Sequence, residues 1–239
     1  MSTSGAPDPV PPRPRSSALL LLLALVVAVF VALWAASHLT VAGQEADAGA
    51  FRTLAPLHDA GRDVAGALRR GLPVACAVVV AVLGVVALVR RAWRDLLAAV
   101  LVVLGTVGIA LGLREVLVRP DLGEHGYAYQ TFPSGHVAVV GGLCVAIWLL
   151  WPWPASRAVA GWAGLGVTAV AALASVVTYA HRPSDVVGSL LVTAGVAVAV
   201  VWLLDVPREV RAAGSPPAAA PPAVADGTPG PPRVSDPSA

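Results

Sequence analysis

Six long apolar runs constrain the fold of this chain more than any other feature of its sequence. They cover Ser17–Ala36, Leu72–Val89, Leu96–Leu113, Val137–Trp153, Val159–Tyr179 and Val186–Leu204. Each run is close to the ~20 residues that cross a hydrocarbon core as a helix. Backbone polar groups in lipid must satisfy one another, so helices are favoured even where valine is frequent. We therefore predict an all-α, polytopic membrane bundle with about six transmembrane helices.

The composition agrees with a membrane protein. Of the 239 residues, 57% are hydrophobic and only 13% are charged, whereas about a quarter are charged in a typical soluble domain. A net charge of +2 gives no reason to expect a nucleic-acid partner. Both cysteines, Cys76 and Cys144, lie within apolar runs, and we predict that they are packing residues rather than a disulfide.

The arginines indicate an orientation, because positively charged loops are retained in the cytoplasm. Arg69 and Arg70, just before the second run, oppose the arrangement that the other arginines favour. That arrangement puts both termini in the cytoplasm of a cell-membrane protein and the connections after the third and fifth runs outside. The arginines that favour it are Arg13, Arg15, Arg90, Arg91, Arg94, Arg157, Arg208 and Arg211.

The segments outside the apolar runs differ in character. Residues 1–16 and 205–239 are rich in Pro, Ala and Ser, and we predict disordered cytoplasmic tails on either side of a membrane domain at 17–204. Between the first two runs, apolar residues from Phe51 to Leu68 recur at helical spacing. This pattern predicts either an amphipathic helix at the membrane interface or a helix packed on the bundle.

Polar residues suited to phosphate chemistry occur in the two connections that are predicted to face outward. Ser134 precedes the fourth run and can cap its helix. Gly135 allows close approach to the backbone, and free N–H groups at a helix start attract anions. His136 follows in the first turn. In the other connection, His181 and Asp185 are four residues apart, a spacing that lets the carboxylate orient the imidazole for attack.

Arginines complete this predicted set. Arg114 and Arg119 can clamp phosphoryl oxygens. Each feature alone also has an ordinary structural explanation, since Ser-Gly turns cap helices and arginines at the ends of spans contact lipid headgroups. Their joint occurrence on one predicted face favours a functional site.

The motifs resemble those of the type 2 phosphatidic acid phosphatase family, which includes vanadium haloperoxidases. Arg119-Pro120 matches part of that family's first motif, Pro133-Ser134-Gly135-His136 matches the second, and His181-x-x-x-Asp185 matches the core of the third. The resemblance covers roughly residues 96–204. It implies that His181 attacks phosphorus to form a phosphohistidine, that Asp185 orients it and that His136 protonates the leaving oxygen.

The same resemblance implies that Arg119, Ser134 and the Gly135 N–H hold the phosphoryl oxygens, with no metal and no cofactor. The chain departs from the family motifs in two places. The first-motif lysine would fall at Gly112, so Arg114 is its nearest substitute. The Ser-Arg pair of the third motif would fall at Ala174-Ser175, so Arg182, beside the nucleophile, is the candidate for the lost charge.

The sequence thus predicts an integral membrane phosphatase that hydrolyses a lipid phosphate or an isoprenoid diphosphate at the outer face. Two alternatives stay open. One is an inactive relative that binds lipid or acts as a scaffold, and the other is a lipid phosphotransferase. The identity of the lipid and the oligomeric state do not follow from the sequence.

Overall fold

The computed structural model describes residues 14–122 and 130–204, with side chains from Ser17 onward. The described part contains six α-helices, one short 3₁₀ helix and no strand. The helices are α1 (Pro14–His38), α2 (Val41–Val89), α3 (Trp93–Val116), α4 (Gly135–Leu150), α5 (Arg157–Val177) and α6 (Pro183–Leu203), with the 3₁₀ turn at Pro154–Ser156. The all-α prediction is confirmed.

Five of these helices are long and apolar enough to cross a membrane, and α4 is a shorter apolar helix. The membrane-protein character read from composition is therefore supported by the folded chain. The predicted tails lie outside the described residues, except that α1 already begins at Pro14.

The shortest apolar helix is the centre of the bundle. Ten of the sixteen residues of α4 are buried, and α4 packs against α2, α3, α5 and α6. The outer helix α1 packs mainly against α6 and turns large side chains such as Leu21 and Leu25 outward. Exposed leucine and valine on the outside of the bundle suit contact with lipid tails, because these side chains carry no polar group that water would have to solvate.

Two sequence-based boundaries are corrected by the structure. The fourth apolar run was predicted to extend to Trp153, but α4 ends at Leu150 and Trp151 is extended. Trp151 precedes Pro152, and a residue before proline is driven out of the helical region by its ring. The other correction concerns the segment before the second run, which is not a separate helix but the first half of α2.

Helix α2 is unusually long. Its 49 residues span about 70 Å at ~1.5 Å per residue, roughly twice the ~30 Å of a hydrocarbon core. The residues from Phe51 to Ala65 pack against α4, α5 and α6. Of the two predictions for this segment, packing on the bundle is therefore the one that the structure supports, and it brings α2 alongside the polar residues described next.

Candidate active site

The start of α4 carries the Pro-Ser-Gly-His motif. Ser134 is the N-cap, and its Oγ accepts a hydrogen bond from the N–H of Val137 at 3.5 Å. A Cβ added to Gly135 would meet no other atom within 4 Å, so open space lies directly over this helix start. His136, in the first turn, is exposed beside it.

The start of α6 carries Asp185, whose carboxylate is completely buried. Its Oδ2 accepts hydrogen bonds from the N–H of Arg182 at 3.0 Å and from Thr131 Oγ1 at 2.5 Å. The same oxygen lies 3.6 Å from His181 Nδ1, within ion-pair range but beyond a hydrogen bond. The helix cap and Thr131 therefore position the carboxylate, and the carboxylate in turn faces one nitrogen of His181.

Direct contacts join the starts of α4 and α6. The N–H of Ser134 donates to the carbonyl of Asp185 at 3.0 Å, and Ser189 Oγ donates to the carbonyl of Ser134 at 2.8 Å. Phe132 is buried against α6, where a Cβ on Gly188 would come within 2.4 Å of its ring. Only glycine allows this close approach, so Gly188 helps to position Phe132 and the segment that leads into α4.

The turn that carries His181 is held from two directions. The N–H groups of Ala180 and His181 both donate to the carbonyl of Ser175, at 3.1 and 3.2 Å. Tyr179 has a positive φ of 54°, and its ring stacks on His58 of α2 with centroids 4.1 Å apart. Its hydroxyl donates to the carbonyl of Phe51. Helix α2 thus braces a turn that carries backbone strain next to His181.

Arg119 is buried against an acidic partner from α2. Its Nη1 lies 3.6 Å from Asp47 Oδ2, and both side chains are less than a tenth exposed. Asp47 also accepts hydrogen bonds from the hydroxyl and the N–H of Ser184 in α6. Burial lowers the pKa of Arg119, and the nearby carboxylates of Asp47 and Asp185 oppose that shift. Neither terminal nitrogen of Arg119 has a hydrogen-bond partner among the described residues.

A second histidine, His38, lies close to the carboxylate that His181 faces. His38, at the end of α1, is 1% exposed, and its Nε2 is 3.9 Å from Asp185 Oδ1. Its Nδ1 lies 2.8 Å from Ser37 Oγ. Arg119 and Arg182 both act electrostatically on this imidazole. We refer to His38, Asp47, Arg119, His181 and Asp185 together as the carboxylate side of the site.

The other side of the site is open. A cavity of about 500 Å³ lies between α2, α3 and α4. Its polar wall consists of Arg69, Arg70, Arg114, Gly135 and His136, which we call the cavity side; the rest of its lining is apolar, from Pro73, Val107, Leu111 and Val139.

Within this wall, Arg69 Nη2 lies 3.4 Å from His136 Nδ1. Ser134, whose N–H donates to the carbonyl of Asp185, directly precedes Gly135 of the cavity wall, so the cavity side and the carboxylate side are neighbours. The eight residues that the sequence singled out fall into one region. Three line the cavity, four lie around the buried carboxylate, and Ser134 lies between the two helix starts.

Comparison with known proteins agrees with the motifs. Residues 115–209 match the family model of the PAP2 superfamily. This part of the chain is therefore similar to the PAP2 superfamily. No curated protein and no solved structure matches the chain. The PAP2 match confirms the resemblance read from the sequence, and together with the apolar helices it fits a family of membrane phosphatases.

Four residues of the site precede the PAP2 match and were not among the sequence candidates. They are His38, Asp47, Arg69 and Arg70. The sequence does contain a signal for Asp47. Gln44, Asp47 and Phe51 recur at helical spacing, which places two polar residues on the same helix face as an aromatic residue of the apolar pattern. Both polar residues are buried. Buried polar side chains on the inward face of a membrane-protein helix mark functional or structural polar contacts.

Proposed function

We propose that this PAP2 protein is an integral membrane phosphatase that cleaves a lipid phosphate or an isoprenoid diphosphate through a phosphohistidine at His181. The observation that carries the proposal is the cavity beside His136. One wall has three arginines and an imidazole, and the remainder is apolar. Such a cavity suits an amphiphile, with its phosphate against the basic wall and its hydrocarbon against Val107, Leu111 and Val139.

The first step forms a nitrogen–phosphorus bond. Asp185 lies at Nδ1 of His181, which leaves Nε2 as the attacking nitrogen. Its lone pair adds to phosphorus while the bond from phosphorus to the leaving oxygen breaks. The 3.6 Å separation is compatible with this role, because catalytic hydrogen bonds often tighten only when substrate binds. The buried carboxylate stabilises the positive charge that develops on the ring.

The leaving oxygen takes its proton from His136, which lies at the open edge of the site. In the second step His136 receives a proton from water, the water oxygen attacks phosphorus, and the bond to His181 breaks to release phosphate. The same imidazole thus acts first as acid and then as base, as expected for a two-step transfer.

The phosphoryl oxygens require donors that are already in place. The terminal nitrogens of Arg119 have no hydrogen-bond partner among the described residues and can donate to phosphoryl oxygens. The Gly135 N–H lies at the start of a helix, where the dipole favours an anion. Arg114 and Arg182 complete the proposed set. Ser134 Oγ caps α4, so we assign it to shaping this anion site. Preorganised donors of this kind stabilise the charge of the transition state.

The test is hydrolysis by the purified chain in detergent. A panel of lipid phosphates and isoprenoid diphosphates is assayed with EDTA present, for wild type and for His181→Ala. We expect wild type to release phosphate from at least one substrate and to accumulate an acid-labile phosphoenzyme, and the variant to do neither. Wild type that hydrolyses nothing, or a variant as active as wild type, would contradict the proposal and favour a non-enzymatic lipid-binding role.

We further propose that the site faces the outside of the cell membrane, in keeping with the arginine distribution. Asp121 and Ala92 lie beyond opposite ends of α3. In intact cells an impermeant thiol reagent should label Asp121→Cys and leave Ala92→Cys unlabelled until the membrane is opened. The reverse labelling would place the site in the cytoplasm.

A further inference from the structure

We infer that Arg69 of α2 is a phosphoryl-binding residue of this site and supplies a positive charge that the motifs of this chain lack. The inference rests on the proposed function for its ligand, a phosphoryl group. The two positions where related motifs carry a cation hold Gly112 and Ser175. Ser175 is completely buried, and its hydroxyl donates to the carbonyl of Ala171. Arg114 and Arg182 are the nearest cations in the motif segments, and Arg69 adds a positive charge from a different helix.

Arg69 is placed to supply it. Its guanidinium reaches His136 in the first turn of α4, with Nη2 3.4 Å from Nδ1. Its Nε is buried and has no hydrogen-bond partner among the described residues. A buried donor without a partner costs free energy, and a phosphoryl oxygen in the cavity would satisfy it. Gly135, on the same wall, leaves the space for that oxygen open.

The charge balance of the wall also indicates an anionic ligand. Arg69, Arg70 and Arg114 line one cavity, and within the described ranges no aspartate or glutamate lines it with them. Two arginines elsewhere in the described chain show the contrast, since Arg119 lies beside Asp47 and Arg62 beside Asp63. Like charges brought together without a counter-ion repel one another, and a bound phosphate dianion would remove that repulsion.

The contact also determines which nitrogen of His136 carries its proton. A guanidinium has donors but no acceptor. In a neutral His136 ring, Nδ1 must therefore accept from Arg69 and the ring proton lies on Nε2. To act as the proposed acid, the ring must take up a second proton at Nδ1 and give up this contact, which leaves the Arg69 guanidinium for the phosphoryl group.

Phosphate binding tests the inference without relying on turnover. Isothermal titration calorimetry with inorganic phosphate is performed on the full chain in detergent, for wild type, Arg69→Gln, Arg69→Lys and Arg62→Gln. Loss of a charge-assisted contact should weaken binding by about 10- to 100-fold in Arg69→Gln. Lysine should restore part of the affinity. Arg62→Gln is the matched control, because Arg62 is exposed on the same helix and does not line the cavity.

The outcomes separate this inference from the proposed function. If wild type hydrolyses no substrate but binds phosphate through Arg69, the phosphatase proposal fails and the binding role of Arg69 stands. If wild type is active and Arg69→Gln retains both its phosphate affinity and its KM, the inference alone fails. Wild type that binds no phosphate would also overturn it. The melting temperature of each variant shows whether the fold is retained.

Discussion

The two sides of the candidate site differ in how their charges are balanced. On the carboxylate side, Asp185 faces His38 and His181, and Asp47 faces Arg119. Those side chains are buried, and helix caps and hydroxyl groups hold the acids in place. On the cavity side, the basic groups line open space, and no acidic residue of the described chain lines that space with them.

This difference predicts on which side of the site a substitution should change both stability and activity, and on which side it should change activity alone. A buried charge that loses its partner is strongly destabilising, so the carboxylate side is expected to support the fold and the reaction together. The basic groups of the cavity side line open space and, by our proposal, contact the substrate there. Substitutions there are expected to reduce activity while the melting temperature changes little.

The largest effect is predicted for Asp185→Asn. The amide keeps the size of the carboxylate but loses the charge that orients His181, and its NH2 group places donors where one carboxylate oxygen could only accept. We expect kcat to fall by about 10³- to 10⁴-fold, as for other histidines deprived of their carboxylate. The melting temperature should fall as well, because the cap of α6 is weakened.

The control for this change is Asp63→Asn, since Asp63 is almost fully exposed on α2. Activity assays and thermal unfolding of both variants make the comparison. An Asp185→Asn protein with normal kcat would refute the orienting role, and one with normal melting temperature would show that the carboxylate side does not couple stability to chemistry.

The second prediction tests the opposite behaviour on the cavity side. His136→Ala removes the proposed leaving-group acid, and general acid catalysis is typically worth about 10²- to 10⁴-fold. A nitrophenyl phosphate needs little proton transfer to its leaving group, so its hydrolysis should fall much less than that of an alkyl phosphate. Because His136 is exposed, the melting temperature should stay close to that of wild type. Equal losses on both substrates would contradict the acid role.

The third prediction concerns Asp47→Asn. The amide can still accept a hydrogen bond from Ser184, but Arg119 loses its nearest counter-ion and must find a new position. We expect kcat/KM to fall by roughly 10- to 100-fold, mainly through KM, together with a lower melting temperature. Glu45→Gln is the matched control, because Glu45 is exposed on the same helix. If both variants behave alike, Asp47 does not hold Arg119 for the substrate.

The sequence predicted the helical bundle and the C-terminal half of the site for a clear physical reason. Apolar runs of membrane length allow little besides helices, and the Pro133–His136 and His181–Asp185 motifs are local in sequence. A helix cap and an i,i+4 pair need no knowledge of the tertiary structure. That the two motifs lie side by side was expected only from the predicted topology. The hydrogen bond between Ser134 and Asp185 is one of the contacts that join them.

The N-terminal contribution was not predicted, because it depends on tertiary packing. Asp47 lies 137 residues before Ser184, and Arg69 lies 67 residues before His136. The segment that contains Asp47 and Arg69 was treated as a connection, and Arg69 itself counted as an exception to the charge rule. Its position beside the cavity offers a reason for that exception, since an arginine needed for ligand binding is not free to follow the membrane-orientation rule.

The smallest effect is predicted for Thr131, which contacts the carboxylate without facing the reaction. Its hydroxyl donates to Asp185 Oδ2, the oxygen nearest His181. Thr131→Val keeps the shape and removes only this donor, while the N–H of Arg182 still holds the same oxygen. We therefore expect kcat to fall by only about 3- to 10-fold, corresponding to one hydrogen bond to a charged group. Thr131→Ser keeps the hydroxyl and should remain near wild type. If serine and valine reduce kcat equally, packing around Thr131 rather than its hydrogen bond positions Asp185.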